Sequence, residues 1–439
     1  MTLDVFFRPR SIAVFGVSRS PDKPGRVIYE NLIKGGFKGQ VYPVNPNIDE
    51  IEGRKIYTPE TLPKIDLGIF VIPATLVPDA LRQVAGKLKG ALILSGGFGE
   101  VGRKDLDLQI METANDFGIR VWGPNCLGLM NPSVNLNATF LPTERVDMPK
   151  PGKIALLSQS GATIASLIDW SNKMKIGFSK IASYGNQLDV NETEILQYFM
   201  KDRKTKAIGF YLEGLKNGKE FFKKVKVKKP IIALKSGKTE KGVRAAKSHT
   251  GAMAGSYKIY QGVFTQKNIS MVNDVDTLLG ALKLLDTSEP KGQRVAIVTC
   301  GGGYGVMASD ALEENGLKLA DLSKNTVKTL KKHYSEHVVV GNPLDLTGSA
   351  TPDDFEFALK HVSKDKAVDA LIAIFLFQLP KLNETIVNKI KVSGKPLIIV
   401  SPPGKFATKV NDLLIEKFDV VETPEKAAEI LSVTRKKAY

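Results

Sequence analysis

The chain has 439 residues, 43% of them hydrophobic, and a formal net charge of +16, so it is long enough for about two to four domains, of which we expect three. Its two cysteines, Cys126 and Cys300, exclude a disulfide framework, and no Cys/His group has metal-ligand spacing. The apolar runs 91–94 and 371–376 fall far short of the roughly 20 residues needed to cross a bilayer. The opening Met-Thr-Leu-Asp-Val-Phe-Phe lacks the basic-then-apolar pattern of an export signal. A cytoplasmic protein without a membrane segment is expected. The lysines are spread along the chain without interleaved aromatics, which argues against nucleic acid as a partner. The densest basic patch, 223–229, reads either as a solvated face or as attraction for polyanionic ligands.

In chain order, three segments share one layout: a short apolar strand, a Gly/Ser turn, then a helical pattern. They are Ser11-Ile-Ala-Val-Phe-Gly-Val-Ser18, Lys153-Ile-Ala-Leu-Leu-Ser-Gln-Ser-Gly161 and Arg294-Val-Ala-Ile-Val-Thr-Cys-Gly-Gly-Gly303. Small residues there let a phosphate approach a helix N-terminus, which is how nucleotide-type α/β domains begin. Near-continuous apolar strands at 69–72, 91–94, 208–212 and 397–400 are those of parallel sheets buried on both faces. The expected fold is therefore α/β throughout, with three Rossmann-like or flavodoxin-like domains at 1–148, 149–289 and 290–439. The boundaries are placed near the Pro/Gly stretches 149–152 and 290–292.

In the first domain the turn after the opening strand, Gly16-Val-Ser-Arg-Ser-Pro-Asp-Lys-Pro-Gly-Arg26, is not G-x-G-x-x-G, so a nicotinamide dinucleotide is disfavoured. A longer basic loop suits a ligand whose phosphates meet backbone amides near Gly16 and Ser18 and the cations Arg19, Lys23 and Arg26. Asn45-Pro46, Pro73 and the run Ser95-Gly-Gly-Phe-Gly-Glu100 lie at further strand ends, where open α/β sheets bind ligands, although each alone reads equally as a turn. Gly123-Pro-Asn-Cys-Leu-Gly128 closes this domain, either as a proline turn over a buried cysteine or as part of a site.

The second and third openings continue in parallel. Gly185-Asn-Gln-Leu-Asp189 answers Gly341-Asn-Pro-Leu-Asp345, the strand ending at Glu213 answers the one ending at Gln378, and Lys229-Pro-Ile-Ile-Ala-Leu234 answers Lys395-Pro-Leu-Ile-Ile-Val400. We read them as two copies of one flavodoxin-like domain. The copies differ where chemistry is expected: nothing in the second answers Ser248-His-Thr-Gly251. Of the four histidines, His333, His337 and His361 sit in charged helical stretches, whereas His249 lies in a Gly- and Lys-rich loop leaving a buried strand. Ser158-Gln-Ser-Gly161 opens the helix of the same domain, with Ser160 and Gly161 placed to receive an anion. Asn186 and Asp189 are secondary candidates for that pocket, with a helix cap as the other reading for Asp189 or Asn191.

The runs at 14–18, 41–46, 95–100 and 123–126 resemble the coenzyme A-binding domain of the succinyl-CoA synthetase superfamily, and Ser248-His-Thr-Gly251 resembles its phosphohistidine loop. The likeness covers nearly the whole chain and is greatest to the alpha subunits of ADP-forming acetyl-CoA synthetases. The resemblance implies that His249 is phosphorylated and held by Glu213, that Ser160 and Gly161 bind phosphate, and that coenzyme A is a substrate. It places coenzyme A against Gly16, Ser18, Arg19, Arg26, Asn45, Pro46, Pro73 and Ser95, with the acyl group near Gly97, Phe98 and Asn125. The family's ATP-grasp module would need roughly another two hundred residues. The resemblance therefore implies a partner ATP-grasp beta subunit carrying ADP or ATP with Mg2+, in an alpha2-beta2 heterotetramer. Two rivals remain at this point. Ser160, Glu213 and His249 occur in the chain order of a hydrolase triad, although Ser158 stands where the nucleophile elbow needs Gly. An acyl-CoA-binding regulatory protein without catalysis is the other.

Overall fold

The computed structural model describes residues 3–244, 256–288 and 291–435. His249 and the rest of Ser248-His-Thr-Gly251 lie outside the described residues. Among the described residues the chain forms two compact units, one of Met1–Asn172 and Ile176–Met271, the other of Val272–Tyr439 with Lys173–Lys175. No described helix is long and apolar enough to cross a membrane.

The first unit holds two sheets. Strands β1 (Ser11–Phe15), β2 (Gln40–Val44), β5 (Leu67–Phe70), β6 (Gly90–Ile93) and β7 (Arg120–Trp122) make a parallel sheet of order β2-β1-β5-β6-β7, while β3 (Glu50–Ile51) and β4 (Arg54–Lys55) form a separate hairpin. β5 and β6 are buried along their whole length, as uniformly apolar strands covered by helices on both faces must be. β8 (Gly128–Asn131), β9 (Leu136–Thr139), β10 (Pro151–Ser158), β11 (Phe178–Ser183), β12 (Ala207–Leu212), β13 (Ile231–Lys235) and β14 (Ser270–Val272) make the second sheet, of order β14-β13-β12-β10-β11-β8-β9.

Its parallel part repeats the topology of the first sheet, with the opening strand flanked by the second and third strands of its own unit. The chain reverses direction there, and a crevice opens at the carboxyl ends of the strands. The β8–β9 hairpin, which the sequence reading placed in the first domain, extends the second sheet: β8 runs antiparallel to β11, with Ile181 opposite Met130. Leu129, Met130, Leu136 and Ala138 are fully buried in it, so the hairpin covers an edge that would otherwise expose a row of unpaired backbone groups. Asn31 donates through Nδ2 to the carbonyls of Thr139 and Leu141 at 2.9 Å each, and Asn131 donates to that of Phe7 at 2.8 Å.

Both domains of this unit share one apolar core around Phe6, Phe7, Trp122 and Phe199. The indole N–H of Trp122, at the end of β7, donates to the Ser183 carbonyl, at the end of β11, at 2.8 Å. Arg120 reaches across to Asp189 at 2.8 Å and Glu194 at 2.7 Å.

The second unit contains β15 (Arg294–Thr299), β16 (Lys318–Leu319), β17 (Leu344–Asp345), β18 (Ala370–Ile374), β19 (Leu397–Val400) and β20 (Asp419–Val421), in the order β16-β15-β18-β19-β20 with β17 beside β15. This order matches that of β11, β10, β12, β13 and β14, which is the expected internal repeat. The helix Val275–Thr287, capped by Asp274 on the Thr277 N–H at 2.8 Å, packs against the helix Pro424–Thr434 and β20. Lys426, on the latter helix, fastens it by an ion pair at 2.9 Å to Asp274, and Glu429 of the same helix accepts from the Thr277 hydroxyl at 2.9 Å.

Candidate functional site

The crevice of the second sheet opens into a cavity of about 970 Å³, lined from the ends of β10, β11 and β12 and from the loop Gly123–Leu127. The helix Gly161–Lys173 starts at its wall, and Ser160, Gly161 and Ala162 line it. Ser160 is the helix cap: its Oγ accepts from the Thr163 N–H at 3.2 Å and from the Thr163 hydroxyl at 3.0 Å. The first N–H groups of a helix have no acceptor within it, so they and the helix dipole favour an anion in front of them.

Glu213, at the end of β12, is buried at 6% exposure and lines the same cavity. Gln159 turns beneath it and accepts the N–H groups of Glu213 and Gly214 at 2.8 and 3.0 Å. The last residue of β13, Lys235, is fully buried, and its ammonium lies 4.8 Å from the centre of the Tyr260 ring. Burial pulls the Lys235 ammonium below the ordinary lysine range, and the charge of Glu213 acts against that shift. Lys235, which feels the charge of Glu213, and Tyr260, whose hydroxyl accepts the Leu215 N–H at 2.9 Å, bracket in sequence residues 236–259, the segment that contains His249.

Asn186 and Asp189, paired as candidates by sequence, go to different places. Asn186 lines the cavity, donates to Glu100 at 2.6 Å and accepts from Asn125 at 3.3 Å. The Glu100 carboxylate also accepts the backbone N–H groups of Gly97 and Phe98. Burial would raise it, but these bonds outweigh burial and hold it below the ordinary carboxylate range. Asp189 instead pairs with Arg120 and accepts the Val121 N–H at 2.9 Å, and Asn191 caps the helix Glu192–Lys201.

At the carboxyl ends of the first sheet, Gly16 turns with φ +94°, and a Cβ there would lie 2.4 Å from the Val71 carbonyl oxygen. Ser18 is half-buried, and Arg19, Pro46 and Pro73 are exposed. Asn45 donates to the Val17 carbonyl at 2.7 Å and so ties the loops after β1 and β2 together. Ser95 donates to the Ile72 carbonyl at 2.5 Å.

Two expectations change. Arg26, grouped with Arg19 by sequence, is 5% exposed and is clamped by Glu30 and Glu52. It stands one helical turn before Glu30, and a cation buried that far needs paired carboxylates, so its guanidinium is committed within the fold. Phe98 is fully buried in the core with Leu106 and Ile110, and neither it nor Gly97 is among the residues lining the cavity, whereas Gly96 and Asn125 are. The apolar part of the lining includes Leu94, Leu127, Phe140, Leu141 and Leu215, of which Phe140 and Leu141 follow β9 and carry no motif. Cys126 lines the cavity too, but burial pushes its thiol up to about 12, far from the range of a nucleophilic cysteine.

Comparisons with known proteins agree with this architecture. The coenzyme A-binding domain family matches residues 10–132, the succinyl-CoA ligase-like flavodoxin domain residues 151–285, and the ligase-CoA domain residues 295–412. The chain is 40% identical to the alpha subunit of the ADP-forming acetate–CoA ligase II of Pyrococcus furiosus, over 97% of this chain and 96% of that one. It is 41% identical to an ADP-forming acetate–CoA ligase of Methanocaldococcus jannaschii, covering 79% of this chain and 49% of that longer protein. The dinucleotide-forming acetyl-coenzyme A synthetase 1 of Ca. Korarchaeum cryptofilum, solved with phosphate and ADP, superposes with a TM-score of 0.90 at 34% identity, over 98% of this chain and 96% of that one. The three domains define a chain of the succinyl-CoA ligase type. Within that class, it belongs to the family of ADP-forming acetate–CoA ligase alpha subunits.

Proposed function

We propose that this chain is the alpha subunit of an ADP-forming acyl-CoA synthetase, converting acyl-CoA, phosphate and ADP into a carboxylic acid, coenzyme A and ATP, with His249 as phosphoryl carrier. The observation that carries the reading is the meeting, on one cavity, of a helix N-terminus at Ser160 and Gly161 and the Glu213 carboxylate, with Tyr260 and Lys235, which flank the His249 segment in sequence, packed behind the turn that follows Glu213. Phosphate held at that helix N-terminus attacks the thioester carbonyl; the C–S bond breaks, coenzyme A leaves as thiolate and takes a proton, and an acyl phosphate remains. A neutral ring nitrogen of His249 then attacks phosphorus, the bond from phosphorus to the acyl oxygen breaks, and the carboxylate is released. Glu213 accepts from the other ring nitrogen and offsets the charge developing on imidazole. The phosphoryl group passes from His249 to ADP with Mg2+ on a partner ATP-grasp beta subunit, within an alpha2-beta2 assembly.

Coenzyme A is assigned to the crevice of the first sheet, its phosphates to the turn Gly16–Ser18 and to Arg19 and Lys23, with Asn45, Pro46, Pro73 and Ser95 shaping the adjacent strand ends. The place of these residues at the carboxyl ends of a parallel sheet, where open α/β sheets take their ligands, supports this. Asn125 and the apolar lining around Phe140 and Leu141 are assigned to the acyl group. A serine hydrolase is disfavoured because both acceptor positions of the Ser160 hydroxyl are used in capping its helix.

The test mixes the chain with its beta subunit, labelled ATP and Mg2+ and measures acid-labile, base-stable phosphate on the chain. Label that is absent from His249→Ala is expected. Equal labelling of wild type and His249→Ala, or of neither, refutes the reading. Thioester hydrolysis by the chain alone, lost in Ser160→Ala, would replace it with the hydrolase.

A further inference from the structure

Beyond Glu213 the chain leaves the sheet, and the three successive backbone N–H groups 213–215 turn along the cavity wall. Each is taken by a side chain from elsewhere in the fold. Gln159, at the end of β10, accepts those of Glu213 and Gly214 through one oxygen. The Tyr260 hydroxyl, from the helix Tyr257–Gln266, accepts that of Leu215 at 2.9 Å. Both acceptors are nine-tenths buried or more, so this is a built support and no surface turn. Tyr260 has a second task, since its ring carries the buried Lys235 ammonium at the last residue of β13.

We propose that Tyr260 is a positioning residue for phosphoryl transfer: its hydroxyl fixes the turn that presents Glu213, and its ring fixes Lys235, the root of the segment bearing His249. The inference rests on the reading that His249 is phosphorylated beside Glu213. One side chain thereby sets both the carboxylate and the start of the segment whose imidazole it holds. Loss of the hydroxyl leaves the Leu215 N–H without its acceptor, and the turn relaxes toward water to satisfy it. The carboxylate then no longer stands where the imidazole needs it.

The experiment uses the full chain with its beta subunit and compares Tyr260→Phe, which keeps the ring over Lys235, with Tyr260→Leu, which loses both contacts. Rapid-quench labelling from ATP and Mg2+ gives the rate of phosphohistidine formation, steady-state kinetics give KM for acyl-CoA, and both are repeated across pH. Tyr260→Phe is expected to slow phosphorylation about tenfold, the size of one lost buried hydrogen bond, with KM for acyl-CoA unchanged. The acid limb of its pH profile moves to lower pH, because an imidazole that loses a carboxylate neighbour gives up its proton more readily. Tyr260→Leu is expected to be slower again. Gln159→Leu unties the same turn from its other side and should reproduce the signature if Tyr260→Leu does not fold.

A wild-type rate in Tyr260→Phe overturns the proposal. So does a fall in melting temperature and activity together with an unmoved pH profile, which is the mark of a merely structural residue. If wild type carries no label, or His249→Ala keeps it, the underlying reading fails and the positioning role falls with it; normal labelling in wild type beside an unaffected Tyr260→Phe refutes the positioning role alone.

Discussion

Gly16→Ala probes the coenzyme A assignment with a collision whose size is known. The added Cβ would stand 2.4 Å from the Val71 carbonyl oxygen and 3.0 Å from the Ile72 side chain, on a residue with φ +94°. Ordinary van der Waals contact for a Cβ begins near 3.4 Å, so the turn or the end of β5 must move by about 1 Å. Both border the crevice assigned to coenzyme A. The positive φ costs a further ~1–2 kcal/mol. A displacement of about 1 Å in a preorganised site is worth up to ~100-fold, so coenzyme A affinity should fall by about 10- to 100-fold.

Gly53→Ala is the control. It has φ +73° but nothing within 4 Å of the new Cβ, so it pays the backbone strain without the collision. Titration calorimetry with coenzyme A and thermal melts on the assembled enzyme separate the two contributions. Gly16→Ala should lose more melting temperature than Gly53→Ala, because the collision adds to the shared backbone strain, and only Gly16→Ala should lose affinity. His249 labelling by ATP should persist in both, because that half-reaction is assigned to the second sheet. Coenzyme A affinity within twofold of wild type in Gly16→Ala, or an equal loss in Gly53→Ala, would remove the first-sheet crevice as the binding site.

Arg120→Met should destabilise the first unit by about 2 kcal/mol, since two carboxylates lose their cation at side-chain exposures of 20–38%. A fall of roughly 4–8 °C in melting temperature is expected, and an unchanged melt would show the bridge to be energetically neutral. Burial pushes the Glu192 carboxyl up to about 7, above its ordinary 4.5. The folded state therefore keeps a proton that the unfolded state gives up, so this contribution is complete below pH 4.5 and is lost as pH rises through 7, by at most about 3 kcal/mol. Glu192→Gln should flatten the dependence of melting temperature on pH between about 5 and 8; parallel curves for variant and wild type would contradict this. Burial likewise pushes the thiols of Cys126 and Cys300 up, to about 12 and about 11. Native protein at pH 8 should show no titratable thiol, with two appearing on denaturation, and a fast-reacting thiol in the native state would count against both burials.

The fold class was legible because its signals are local. An apolar run followed by Gly or Ser and then a helical pattern reports a buried parallel strand and its turn wherever it occurs, and three such openings announce three sheets of one topology. The contrast between Glu213 and Gln378 was legible for the same reason. The repeat also predicted more likeness than the structure contains. Asn342 serves its own sheet, accepting from the Ile297 N–H and donating to the Val295 and Ala320 carbonyls, whereas its counterpart Asn186 turns into the cavity toward Glu100. Neither role follows from the shared Gly-Asn-x-Leu-Asp pattern, because the groups that choose between them lie 22–86 residues away.

Distance along the chain separates the remaining successes and misses. Residue types, strand ends and the Ser158-Gln-Ser-Gly161 helix start were determined by the sequence, since a turn's small residues and a helix cap act within four positions. Only tertiary structure decided that Arg26 is spent on Glu30 and Glu52 while Arg19 stays exposed, and that Phe98 fills a core beside glycines that do not. It likewise decided that β8 and β9 belong to the second sheet, and that Gln159 and Tyr260 converge on the turn after Glu213. Each is settled by burial, where a charge or an N–H must find a partner from whichever element packs against it, and no local pattern records that neighbour.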